Sequence, residues 1–363
     1  CGTVLACTDR KSTSDMPDCA MLPPFVLEND ADTLPSSTMK SITWIPIEHS
    51  PINPLKEITN FCSEDSKYII ASRRQGIVQA YDLNGHLLYE ISRLGQGPEE
   101  YLEIAAVTTT ESSVYIVDNF SRNLVQYSIT DGSFVAKRPM QYVAWDVAAY
   151  NDSTFLFTCL RNNPDTPASN HGMDYAVWQT DRELNVTHKY LPVEADHIEM
   201  YCQRKYFTKY QDKILFHTFR NDGYFIFDQD GSIEYRPMEF PDPIDSDRSK
   251  LNFQEIVDSK KEYLGSTPYM TENYTLLEIC KGDLTMNLFA DNANQRIFQN
   301  SSIWAAMLPV NIIGVCGNDF IGHVNDEAEL YESMLEYGFP RASQEVEDVI
   351  KAGGCALIRY SLQ

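Results

Sequence analysis

Gly76-Ile-Val-Gln-Ala-Tyr-Asp82, then Asn84-Gly85, then His86-Leu-Leu-Tyr-Glu-Ile91 is the stretch that decides the fold. Two short runs rich in β-branched and aromatic residues flank an Asn-Gly pair. That pair is the strongest short-range hairpin signal, because both central positions of the tight turn need positive φ. Lys67-Tyr-Ile-Ile-Ala-Ser72 stands before them as a further strand, and the unit then recurs. Val114-Tyr-Ile-Val-Asp118, Asn123-Leu-Val-Gln-Tyr-Ser-Ile129, Asp131-Gly132 and Ser133-Phe-Val-Ala136 repeat it at the offset that carries Gly85 onto Gly132. The same offset lays Ile77-Val78-Gln79 on Leu124-Val125-Gln126, and Tyr68-Ile69-Ile70 on Tyr115-Ile116-Val117. A repeat of this length, made of short strands and turns, means a chain of small sheets.

Working outward, a third copy runs through Thr154–Thr158, Tyr175–Gln179, a turn at Asp181 and Val186–Leu191. A fourth runs through Lys213–His217, Tyr224–Asp228, Asp230-Gly231 and Ile233–Tyr235. A fifth holds Tyr274–Cys280, Leu284–Ala290, a turn at 291–294 and Arg296–Phe298. A sixth holds Ile303–Val315 and Asp319–Val324 and lacks its last pieces locally. Cys355–Leu362 supplies its third strand and Ile42–Ile47, from the other chain end, its outer one. Joining the two ends in one blade is how a ring of sheets closes. Setting aside 1–41, 240–262 and a helical insert at 325–353 leaves about 270 residues. That is about 45 per blade for six blades, or about 39 for seven, against roughly 40–45 for a four-stranded propeller blade. The expected fold is all-β: a six-bladed propeller of four-stranded antiparallel blades over 42–363, with a small helical insert near the C-terminus.

Composition agrees. The chain has 363 residues, 43% of them hydrophobic, which is ample for a packed core and excludes wholesale disorder. Its net charge of −23 argues against nucleic-acid binding, which needs a basic surface. The nine cysteines form no CxxC pair and signal neither a zinc site nor a disulfide framework. Near the start, Val4-Leu5-Ala6-Cys7 has the form of a bacterial lipobox, followed by a polar tether. Cys7, or alternatively Cys1, is therefore the expected lipid anchor, with 1–41 as signal-peptide remnant, anchor and flexible tether.

Val114-Tyr-Ile-Val-Asp118-Asn119, with Arg122-Asn-Leu-Val-Gln-Tyr127, resembles an NHL-type propeller repeat. Arg93-Leu-Gly95-Gln-Gly97-Pro98-Glu-Glu-Tyr101 resembles the glycine-proline signature of the six-bladed β-propeller lipoprotein family of Bacteroidetes, NHL-like or TolB-like, with Glu99 where glycine is frequent. The resemblance covers about residues 40–363 and extends to the late helical insert and the final strand. It implies a propeller on the cell envelope, periplasmic or on the outer-membrane surface, and implies no defined activity.

In antiparallel blades a-b-c-d, the a–b and c–d turns share one face, and the b–c and d-to-a connections the other. The first set is short. The second includes Arg93–Tyr101, 161–174, 240–262 and 325–353, and long connections in compact folds are the ones that most often bind. Arginines recur there: Arg73, Arg74, Arg122, Arg161 and Arg220 in b–c loops, and Arg93 on the next connection. With Glu99, Glu100, Tyr101, Asp118 and His171 they make the candidate ligand-binding set. A cationic funnel of this kind would hold a carboxylate, sulfate or uronic acid bidentately. The competing reading pairs each arginine with an acid such as Asp118, Asp222, Glu99 or Glu100.

No two histidines stand at metal-ligand spacing, and no nucleophile elbow or phosphate-binding loop is present. Asp228-Gln-Asp230-Gly231 lacks the glutamate of a calcium loop and reads as a turn. No catalytic residue, metal or cofactor is assigned, and a channel calcium ion is not signalled. Leu330, Tyr331, Met334 and Leu335 fall at helical spacing, and Ser343 starts a second helix; the pair would lid the channel or decorate blade six. The expected role is a monomeric binding module without chemistry. Its partner would be a glycan, a peptide or an envelope protein on the long-loop face, and its membrane contact would be through the lipid alone. The alternatives are a propeller hydrolase or lyase with metal or carboxylates at the channel mouth, and an architectural subunit.

Overall fold

A computed structural model describes residues 19–64, 66–159, 175–193, 205–244, 248, 251–299, 311–325, 328–336 and 338–363. Their strands form six four-stranded antiparallel units. Blade one is Asn60–Glu64, Lys67–Ser72, Ile77–Asp82 and Leu87–Ile91. Blade two is Ala106–Thr109, Ser113–Asp118, Asn123–Ser128 and Phe134–Pro139. Blade three is Asp146–Asn151, Thr154–Thr158, Tyr175–Thr180 and Val186–Pro192. Blade four is Phe207–Tyr210, Lys213–Phe216, Gly223–Phe227 and Ile233–Glu239. Blade five sets Tyr269–Met270 on Tyr274–Lys281, Leu284–Asp291 and Arg296–Ile297, with Glu262–Leu264 extending it. Blade six is Ile312–Cys316, Asp319–Asn325, Cys355–Leu362 and Met39–Pro46.

The six inner strands touch one another in this order, and the sixth touches the first. The molecule is thus a closed ring around a central channel. In blade six, Ala356 faces Pro46, Ile358 faces Trp44 and Tyr360 faces Ile42 across the closing pair. Burial follows the radial position. Blades stack face to face, so a middle strand such as Ser113–Asp118 is buried at every residue. The outer strand Val186–Pro192 is mostly exposed. Middle strands therefore read as continuous apolar runs, and outer strands do not.

Residues 19–38 depart from the expected tether. Ala20–Met21 runs parallel to the outer strand of blade four, and Phe25–Val26 lies between that strand and Arg296–Ile297, parallel to both. Blades four and five are thereby joined into one continuous sheet. Phe25 and Leu27 are buried among residues of those two blades, and Leu34 against blade six. The physical cause is edge pairing: outer strands leave N–H and C=O groups open, and the strap satisfies them.

Among the described residues, three α-helices decorate the ring. α1 (Phe253–Ser259) lies within the 240–262 connection and starts at Asn252, which forms a reciprocal capping box with Glu255. α2 (Ala328–Glu336) and α3 (Gln344–Lys351) occupy the late insert. Tyr331, Met334, Phe339, Val346 and Ile350 pack on Phe320, Val324 and Ile358 of blade six. Trp44 Nε1 donates to Pro340 O at 3.0 Å, and its ring meets Tyr331 edge-on at 5.3 Å. Of the two readings of this insert, packed decoration is the one seen. Among the described residues, no helix is long and apolar enough to cross a membrane.

Candidate functional site

The inner strands supply the channel wall, so the site is built from their polar residues. A cavity of about 880 Å³ opens between the short turns at 111–112, 151–152, 211–212 and 317–318. A smaller chamber of about 340 Å³ lies deeper, toward the other end. Phe61, Lys205 and Tyr269 line both and form the floor between them.

Two lysines of blade four cross the bore to blade one. Lys205 Nζ donates to Phe61 O at 3.1 Å, and Lys209 Nζ donates to Glu64 Oε1 at 3.2 Å. Thr109 Oγ1 donates to the same carboxylate oxygen at 2.8 Å. Beneath Lys205, the buried Asp146 carboxylate accepts the backbone N–H groups of Tyr206 (2.8 Å), Phe207 (2.9 Å) and Val147 (2.9 Å). Burial pushes the Asp146 carboxyl up from its ordinary value, and Lys205 pulls against that. Burial alone would lower the Lys205 amine, but the facing acidic groups of Cys62, Asp146 and Tyr269 hold it above its ordinary value. The Cys62 thiol is pushed up by burial.

At the rim, Asp152 accepts hydroxyl protons from Thr110 at 2.5 Å, Tyr115 at 2.9 Å and Ser112. Burial would raise this carboxyl, and the hydroxyl donors outweigh it and hold it below the usual range. The rest of the described wall mixes hydroxyls and amides, such as Thr108, Tyr150, Gln211 and Asn318, with the rim carboxylates Glu111 and Asp212. Such a surface can donate to and accept from an uncharged polar ligand. Among the described residues, no three His, Cys, Asp or Glu converge as a metal site.

The residues proposed from the long-loop face lie elsewhere, and none of those described lines either cavity. Arg74 reaches Glu57 at 3.8 Å, and the Arg73 N–H donates to Thr59 Oγ1 at 3.0 Å. Arg93 pairs with Glu99 at 2.5 Å and lies over the Tyr127 ring. Glu100 folds back to accept the Gly97 N–H at 2.7 Å, filling the space that the side chains missing at Gly95 and Gly97 leave open. Buried Tyr101 donates to Gly76 O at 2.8 Å. Asp118 is also buried and accepts Leu102 N–H at 2.7 Å and Ser121 Oγ at 2.5 Å. These contacts make the glycine-proline loop a clamp between blades one and two. Exposed Arg122 is left-handed at φ 52. Arg220 Nη1 donates to Pro192 O at 3.2 Å, while Asp222 pairs with buried Arg248. Arg161, His171, Cys1 and Cys7 lie outside the described residues.

The large cavity opens on the short-turn face, opposite the one expected from loop length. Lys205, Lys209 and Glu64 were not singled out from the sequence. Their signal was two lysines four apart at an inner strand, in a chain with 29 basic residues.

Residues 25–349 match the family described as Domain of unknown function (DUF4934). The chain belongs to the DUF4934 family. This DUF4934 chain is similar in structure to a Bacteroides fragilis protein predicted to be exported. The TM-score is 0.74 at 13% identity, over 95% of this chain and 100% of that one. It is also similar to a DUF4221 family member from Bacteroides vulgatus, with TM-score 0.50 at 11% identity over 90% and 97% of the two chains. At these identities the likeness shows the fold. No curated protein matches the chain.

Proposed function

We propose that this protein is a cell-envelope lipoprotein of the NHL-like or TolB-like six-bladed type, acting as a binding module. Its ligand, a glycan segment or a peptide, enters the central channel from the short-turn mouth. The observation that carries this reading is the cavity of about 880 Å³, walled by hydroxyls and amides and floored by Lys205 and Tyr269. Concave sites of this size with a few fixed polar groups are where ligands bind. Lys205 and Lys209 are tied to acceptors on blade one, and with Glu64, Glu111, Asp152 and Asp212 the described lining is net acidic, so its hydrogen bonds suit a neutral ligand better than an anionic one. A thermal-shift screen of neutral oligosaccharides, acidic oligosaccharides and short peptides tests it, since a ligand of the folded state raises Tm by mass action. A hit that Lys209→Met and Tyr210→Phe weaken supports channel binding; a hit that both leave unchanged refutes it.

A second reading keeps a protein partner on the long-loop face. It is favoured by Phe120, 74% exposed beside Arg122, and by Leu94, 53% exposed. Scattered exposed apolar residues are ordinary, but three arginine-bearing loops around them resemble an interface rim. Phe120→Asp would then abolish capture of the envelope partner and leave channel ligands unaffected.

A further inference from the structure

The smaller chamber is lined by a buried amide whose two polar atoms are both unused. Asn60, on the inner strand of blade one, is only 3% exposed. Among the described residues neither its Oδ1 nor its Nδ2 has a hydrogen-bond partner, and the side chain lines the 340 Å³ chamber. Buried amides are almost always satisfied, so one with both atoms unused calls for a partner from outside the chain. The neighbouring Thr59 shows the usual case: its hydroxyl donates to Ala71 O at 2.9 Å and accepts the Arg73 N–H at 3.0 Å.

The chemistry of the chamber narrows the partner. Among the described lining residues the charged side chains are Lys205 and Glu278, of opposite sign, so they offer no net charge to recruit an ion. The Asn60 amide presents an acceptor and a donor side by side, which complements two adjacent hydroxyls that each donate and accept. Phe61 and Tyr269 add flat apolar surface for a C–H face. The volume sits at the small end of the ligand-pocket range, enough for one sugar ring and not for a chain. We propose that this chamber is a second binding site, for a neutral polyol of monosaccharide size, with the Asn60 amide bonded across a vicinal diol. It is separate from the large-cavity site, and either can fail alone.

The experiment is a thermal-shift and calorimetric titration of the full chain with galactose, glucose, mannose and N-acetylglucosamine, with glucuronate as the charged control. At least one neutral sugar is expected to raise Tm by about 2 °C at ten times its Kd. Asn60→Leu, which keeps the branching of the side chain and removes both polar atoms, is expected to abolish that shift. Lys209→Met, in the other cavity, is expected to leave it intact. If Asn60→Leu fails to fold, Asn60→Ser is the substitute, with an expected loss of at least tenfold in affinity. Crystals soaked in the responding sugar would then place it within hydrogen-bond distance of Asn60. The proposal is overturned by no response to any neutral sugar, which would leave Asn60 merely hydrated. It is also overturned by a response to glucuronate alone, by an equal response in the variant, or by density for the sugar elsewhere.

Discussion

Three glycines at the same place in the repeat allow ring closure to be measured. Gly85, Gly132 and Gly231 all end c–d turns at left-handed φ, +89, +71 and +86. Alanine at each carries the same backbone cost, about 1–2 kcal/mol. What differs is what a Cβ would meet. At Gly231 there is nothing within 4 Å, so the backbone term stands alone. At Gly132 it meets the Tyr89 ring at 2.6 Å, and Tyr89 OH donates to Ile129 O at 2.8 Å. A side chain can swing away, adding about 1 kcal/mol for that bond. At Gly85 the Cβ would overlap the carbonyl oxygen of Pro46, which is backbone on the closing strand. Relief means moving that strand, with loss of Glu48 N to Gly85 O at 2.9 Å and Ile47 N to Cys355 O at 3.1 Å. Two bonds and the packing of Ile45 and Ile47 add about 3 kcal/mol. The expected ΔΔG values are therefore about 1–2, 2–3 and 4–5 kcal/mol for Gly231→Ala, Gly132→Ala and Gly85→Ala. Urea unfolding followed by tryptophan fluorescence, to which Trp44 on the closing strand contributes, resolves them. At an m-value of about 3 kcal/mol/M, the outer two differ by about 1 M in midpoint. Equal midpoints for Gly85→Ala and Gly231→Ala would refute the claim that the hairpin of blade one abuts the closing strand.

Phe25→Ala tests the strap: Phe25 is buried with Leu215 and Leu277 under the Arg236 guanidinium, so about 3–5 kcal/mol should be lost in the same urea assay, whereas a free tether would lose none. Tyr101→Phe removes the donor to Gly76 O and Ile91 O and should cost about 1–2 kcal/mol by denaturation, with channel-ligand affinity by calorimetry unchanged. Asp152 has a folded pKa below its unfolded value, so its stabilisation is full above the ordinary carboxylate range and is lost as pH falls through the depressed value. Asp152→Asn should therefore be less stable than wild type at neutral pH and converge on it below about pH 4, read from Tm against pH.

The ring was legible because its signals are local. Asn84-Gly85, Asp131-Gly132 and Asp230-Gly231 mark turns by their own chemistry, and the closing strands were found because blade six ran short of pieces. The strap was not legible, since Phe25-Val-Leu27 is too short to announce a strand and gains its partners only from edges that the finished blades present. The channel was hidden for a related reason. Glu64 is far in sequence from Lys205 and Lys209, and they meet only because blades one and four stand opposite each other in the ring. The loop residues, by contrast, were visible as a cluster, and Asp118, Glu100 and Tyr101 turned out to make backbone bonds at that loop. Charge density in a sequence does not distinguish a clamp from a mouth.

The cross-channel bonds also separate a site from a brace. A bore that needed only filling would do so with apolar side chains, because burying charge costs desolvation that a pair recovers incompletely. Here Lys209 and Glu64 hold a polar bore open, with side chains 32% and 14% exposed. If that polarity serves a ligand, stability and binding should part company. Lys209→Met alone leaves Glu64 bonded to the Thr109 hydroxyl with its counter-charge gone, and should destabilise by about 1–2 kcal/mol. The double variant Glu64→Leu with Lys209→Met removes both charges and should recover that loss, ending level with wild type or about 1–2 kcal/mol above it. Its response to the channel ligand should nevertheless be gone. A double variant that is both less stable than either single one and still able to bind would show that the pair braces the ring and takes no part in recognition.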